Sequence, residues 1–111
     1  MKKEYRLRKN EDFKKVLDFH KYVSRENLTI YHKKNELSHC RIGVSVSSKI
    51  GNSVVRHKIK RQVVSMLDKC VKINDPYDIV VIVRKKYLEK EYKDNYKILN
   101  DCILKIMRKG I

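Results

Sequence analysis

Proline occurs once in the 111 residues, glycine three times, and no stretch is of low complexity. The chain therefore does not have the composition of a disordered or linker-rich protein. No run approaches the roughly 20 apolar residues that a helix needs to span a bilayer, so no membrane role of that kind is expected. Met1-Lys2-Lys3 leads into further charge rather than an apolar stretch, and no signal peptide is expected. The cysteines, Cys40, Cys70 and Cys102, are odd in number, far apart and in no paired motif. That argues against a disulfide framework or a zinc ribbon and for three reduced thiols in a cytoplasm, with Cys70 and Cys102 suited to helix core faces. Negative charge is also short: 13 acids stand against 28 Lys and Arg, a net of +15. Self-repulsion on that scale opposes a compact state, and a polyanionic partner relieves it. The plainer reading is a basic surface that serves solubility.

The length suits one domain, residues 1–111, in which residues 1–9 form a basic arm. Asn10 reads as a helix N-cap, with Glu11 and Asp12 in the first turn and Phe13, Val16 and Leu17 on one stripe to about Phe19. From Leu28 the period becomes two: Leu28 and Ile30 point one way, Thr29 and Tyr31 the other. After the polar turn 33–36, Ile42, Val44 and Val46 share one face of a second strand; Arg41, Gly43, Ser45 and Ser47 share its other face. These two strands read as an antiparallel pair. Asn52 or Ser53 caps a long helix to about Val71, with Val55, Ile59, Val63, Met66, Leu67 and Cys70 at helical spacing. Ile79 to Val83 is a continuous apolar run, expected for a strand covered on both faces. A last helix from about Glu91 to Lys109 carries Tyr92, Tyr96, Leu99, Ile103 and Ile106 inward, and Gly110 stops it. The order is α-β-β-α-β-α, a single layered α+β or α/β domain.

Between Glu36 and Asp68 there is no acid at all, while Arg41, Lys49, Arg56, Lys58, Lys60 and Arg61 all fall there. A solvated helix face normally mixes signs and gains from pairs one turn apart. Here Arg56 with Lys60, and His57 with Arg61, are like-charged neighbours, which costs free energy unless an anion lies across them. Phosphate contact is the functional reading. Gly51-Asn52 and the free N–H groups of the first turn would strengthen it. On the second strand the small residues Gly43, Ser45 and Ser47 leave one face open. With Tyr31 and Thr29 beside them, and Phe13 and Leu17 from the first helix, they could form a groove in which rings stack on unpaired bases. Alternatively, Phe13 and Tyr31 simply belong to the core.

The run Gly51-Asn52-Ser53-Val54-Val55-Arg56-His57-Lys58-Ile59-Lys60-Arg61 resembles the signature of the bacterial ribonuclease P protein component. Residues 41–50, Arg-Ile-Gly-Val-Ser-Val-Ser-Ser-Lys-Ile, and residues 6–13, Arg-Leu-Arg-Lys-Asn-Glu-Asp-Phe, resemble its other motifs, in the family's order over essentially the whole chain. The resemblance implies a mixed sheet with helices packed on it and a left-handed β-α-β crossover, where general rules favour the right-handed one. It implies the small subunit of a ribozyme whose RNA removes the 5′ leader of precursor tRNA with magnesium ions. No metal or small-molecule cofactor is expected on protein side chains, and the holoenzyme requires Mg2+.

Carried onto this chain, Arg6, Lys9, Lys49, Asn52, Arg56, His57, Lys58, Lys60 and Arg61 would contact the catalytic RNA. Phe13, Leu17, Tyr31, Arg41, Ser45 and Ser47 would line the leader groove. His57 stands where the family usually has Asn, and Lys58 where it usually has Arg, so charge is kept at 58 but the bidentate fork is lost. Leu17 replaces an aromatic found in many relatives, so one stacking platform is missing.

Two rivals remain. An autonomous nuclease needs converging acid–base groups or metal carboxylates. His20, His32, His39 and His57 show no helpful spacing, and no catalytic residue is expected. A Cys–His pair brought together by folding is the route left open. The other rival is a different RNA- or DNA-binding module, for example a ribosome-associated one, with the basic helix but no leader groove. The groove discriminates between them.

Overall fold

Residues 5–109 are described by the computed structural model, with side chains as far as Met107. Lys2, Lys3 and Glu4 of the basic arm, and Gly110 as a helix stop, lie outside the described residues. The elements in order are α1 (Asn10–Asp18), β1 (Tyr22–Ser24), β2 (Leu28–Lys34), β3 (Arg41–Val46), α2 (Ser53–Cys70), β4 (Tyr77–Val83), a 3-10 turn (Lys85–Glu89) and α3 (Tyr92–Lys109). The fold is thus α+β, as expected, with one strand more than the expected order: β1 is only three residues long, too short for alternation to reveal.

The sheet runs β1-β2-β4-β3. β4 lies antiparallel to β2 and parallel to β3. The antiparallel pair expected from β2 and β3 does not form; β4 separates them. Alternation shows which face a side chain takes, and it was right for both strands, but it carries no information about the neighbouring strand. The most apolar strand, β4, takes one of the two interior positions, where both edges and both faces are covered. β3 and β4, parallel neighbours, are joined through α2.

The layers follow from the alternation. Leu28, Ile30, Ile42, Val46, Ile79, Val81 and Val83 face α2 and α3, meeting Ile59, Val63, Met66 and Leu67 from the first and Leu99, Cys102, Ile103 and Ile106 from the second. On the opposite face, Val80 meets Val16 and Leu7, with Phe13, Leu17, Tyr31 and Ile82 packed around them. Fully burying a side chain such as Val16 contributes about 1.5–3 kcal/mol, which is what holds so short a helix to the sheet.

Lys9, not Asn10, is the N-cap of α1, and no side chain caps that end; Glu11 and Asp12 complement the dipole instead. α2 is capped as expected, by Asn52, whose Oδ1 accepts from the Val55 N–H at 3.0 Å. On α3 the inner stripe differs: Tyr92 is exposed, while Asn95 and Cys102 are buried. Asn95 is accommodated because its Oδ1 accepts from Asn27 Nδ2 at 2.8 Å and its own amide donates to the Tyr87 carbonyl at 3.1 Å. The Tyr87 hydroxyl donates to Gln62 on α2 at 2.9 Å, so this polar cluster ties the 3-10 turn to two helices.

Candidate nucleic-acid interface

The spacing of the apolar residues turns α2 so that Ile59, Val63, Met66 and Leu67 are buried. The same rotation leaves His57, Lys58, Lys60 and Arg61 exposed on the remaining surface. None of Arg56, Lys58, Lys60 and Arg61 is in an ion pair among the described residues. The Arg56 Nε is buried and has no hydrogen-bond partner among the described residues. A donor stripped of water and left unpaired is costly, and a swing of the Arg56 side chain toward an acceptor outside would remove that cost. Lys49 is exposed on the loop before the helix, where its N–H donates to Ser47 Oγ at 3.2 Å. With the Asn52 oxygen engaged in the cap, its amide NH2 is the group left to face a ligand. Gly51 serves α2 as well: a Cβ there would meet the Val55 side chain at 2.9 Å.

Folding brings residues from far along the chain to this helix. The segment 5–8 runs beside β3, where Arg6 bridges to Ile42 and the Leu7 N–H donates to the Ile42 carbonyl at 2.7 Å. Leu7 is buried, so the arm is anchored at this point. Arg6 consequently lies beside His57, Lys60 and Arg61 in one surface hollow. A second cleft, of about 430 Å³, is lined by Arg6, Arg8, Phe13, Gly43 and Lys60 among others. Arg8 reads in the sequence only as one cation of the basic arm; the docking of the arm places it in this cleft. Lys9 is exposed at the start of α1.

The groove residues gather on the α1 side of the sheet. Strand register sets Tyr22, Tyr31, Val80 and Gly43 in one row across it, with Ser24, Thr29, Ile82 and Ser45 in the next. Phe13 packs directly over Gly43, so closely that a Cβ on Gly43 would overlap the ring. Phe13, Leu17 and Tyr31 are all partly buried, hence both part of the packing and open on one side. Ser45 is exposed on the floor. Ser47, just past the strand, holds the Lys49 turn. Tyr22 was missed: its ring lies 5.1 Å from that of Tyr31 and extends the aromatic wall.

Arg41 is on this face but is not a free cation. It donates from Nε and Nη2 to the two carboxylate oxygens of Asp78, at 2.9 and 2.7 Å, and from Nη1 to Asp12 at 3.3 Å. Asp78 is buried, so this bidentate pair locks β3 to β4 and draws α1 onto the sheet. Arg41 therefore shapes the groove through its carboxylate partners.

Nothing on this surface is arranged for nucleophilic attack by a thiol. Desolvation pushes the buried Cys40 and Cys102 thiols up and the Cys70 thiol up to about 11. These sulfurs stay protonated, whereas the thiolate is the nucleophile. Among the described residues no three His, Cys, Asp or Glu side chains gather where they could hold a metal ion. No helix among them is long and apolar enough to cross a membrane.

A family profile described as Ribonuclease P matches residues 1–107. The chain is 33% identical over 110 residues to the ribonuclease P protein component of Mesoplasma florum, covering 97% of this chain and all of that protein. It is 41% identical over 97 residues to the component of Clostridium novyi, covering 85% and 86%. Among solved structures, the Staphylococcus aureus RNase P protein superimposes with a TM-score of 0.80 at 33% identity, over 93% of this chain and 94% of that one.

Proposed function

Because the chain belongs to the ribonuclease P protein family and is the protein component of that enzyme, we propose that it docks on the RNA subunit through α2 and guides the 5′ leader of precursor tRNA along the groove on its sheet. The observation that carries this reading is the meeting of two surfaces. The unpaired cations of α2 reach, at Lys60, the same cleft as Phe13, where the aromatic-walled groove begins.

Each surface suits a different part of the substrate complex. Lys49, Arg56, Lys58, Lys60 and Arg61, joined by Arg6 and Lys9, match the phosphates of a folded RNA, and such contacts position without reading sequence. His57 and the Asn52 amide add hydrogen bonds at the helix start. The groove suits an unpaired strand: Tyr31 and Phe13 offer rings for stacking, Leu17 an apolar wall and Ser45 a small hydroxylated floor. Single-stranded leader is what distinguishes precursor from mature tRNA, so a protein that holds it raises affinity for substrate over product. The chain's own residues bind and orient; cleavage belongs to the RNA, and the magnesium ions it needs are held there, in the cytoplasm.

Reconstitution with the cognate RNA at low magnesium tests this reading. Addition of the protein restores precursor processing. In the reconstituted holoenzyme Tyr31→Ala and Phe13→Ala weaken precursor binding by about 1–3 kcal/mol each and leave mature tRNA binding unchanged. Equal losses for precursor and mature tRNA would count against a leader groove.

A further inference from the structure

A second basic hollow lies at the edge of the sheet remote from α2. It has a volume of about 610 Å³ and is bounded by β1, the end of β2 and α3. Lys21, Lys33, Lys34 and Lys105 line it, and no Asp or Glu does. None of the four lysines is in an ion pair among the described residues. Phe19 is 47% exposed at its wall, and the Lys21 and Lys33 ammonium groups each stand 5.5 Å from its ring centroid. Two ammonium groups drawn to one exposed ring repel each other, and an anion beside them removes that repulsion.

The hollow meets the groove at one residue, around the β1 edge: it opens mainly toward α3, whereas the groove is on the α1 side of the sheet. Tyr22 lines it, and its ring also lies 5.1 Å from that of Tyr31, its partner across the β1–β2 register, tilted by 37°. Three strand spacings, about 14 Å, separate β1 from β3. A phosphate bound at β3 or α2 is therefore too far away to occupy the hollow as well.

We propose that this hollow is a distal site for single-stranded RNA, holding leader nucleotides that have passed beyond the groove. Lysines at its mouth contact phosphates and Phe19 stacks on a base. The proposal rests on the leader-groove reading, since the strand arrives by way of Tyr31 and Tyr22. Charge favours this occupant: the lining is wholly cationic or neutral, and an exposed ring between ammonium groups is a surface for a base flanked by phosphates.

The test is leader length. The holoenzyme is assembled with Lys21→Ala/Lys33→Ala, with Phe19→Ala or with Tyr31→Ala, and binds precursors carrying leaders of about four or about twelve nucleotides. For the long leader, the double variant lowers the slope of log affinity against log salt by about 1.4, and Phe19→Ala lowers affinity about fivefold or more. Both variants bind the short-leader precursor normally, which also shows that they fold. Equal losses at both lengths, or no loss with the long leader, would overturn the proposal. Tyr31→Ala weakens both lengths alike; if it weakens neither, the groove reading itself fails, whatever the hollow does.

Discussion

Arg41 shows how one residue can look like a contact and act as a fastener. In the sequence it is a cation at the start of an acid-free stretch. In the fold it has two carboxylate partners drawn from positions 12 and 78. Sequence separation concealed both, because nothing near residue 41 is acidic. Arg41→Ala leaves Asp78 buried with Asn35 Nδ2, at 2.9 Å, as its remaining side-chain partner among the described residues. The expected loss is about 3–5 kcal/mol in denaturant unfolding. The double variant Arg41→Ala/Asp78→Asn recovers part of it, because no bare charge is then buried. The aromatic residues were easier to read. Phe13 and Tyr31 were open to two interpretations, core or groove; each is half-buried, which fits packing in the core and leaves a side open for the proposed groove.

At the scale of elements, the first turn of α2 has a structural role and a proposed binding role, and Asn52 separates the two. Asn52→Ala removes the cap and costs about 1 kcal/mol of stability. Asn52→Asp keeps a good cap and suits the helix dipole, so thermal stability is preserved, yet it places an anion beside Lys49 and Arg56. Its affinity for the RNA subunit is expected to fall while melting is unchanged; a parallel fall in both would make Asn52 a cap alone. The two long helices, the faces of β2 and β3 and the buried character of β4 were legible, because each is long enough for its pattern to show. Three things were not. β1 has too few residues to alternate. The partner of each strand depends on energies summed over the whole sheet. The buried Asn95 interrupts the apolar stripe of α3 and is tolerated only because Asn27, 68 residues earlier, meets it. The signature run 51–61 was readable through its resemblance to a family motif; the helical period added only that Ile59 turns inward while Lys58, Lys60 and Arg61 turn outward.

At the scale of the whole molecule, a net charge of +15 makes salt act in opposite directions on folding and on assembly. Screening relieves self-repulsion, so the midpoint of thermal unfolding of the free protein is expected to rise between about 0.05 and 0.5 M salt. Over the same range, affinity for the RNA subunit falls, because counterions released from phosphates are no longer gained. Calorimetry and binding titrations on one preparation check both signs. The sheet order has a consequence for synthesis as well. β2 and β3 are joined into one sheet only through β4, the last strand made, which enters between them. A nascent chain that has delivered α2 but not Tyr77–Val83 thus carries exposed strand edges on a highly cationic, unfinished body. Cooperative folding then waits for the final third of translation, and the emerging polypeptide is a polycation before it is a globule.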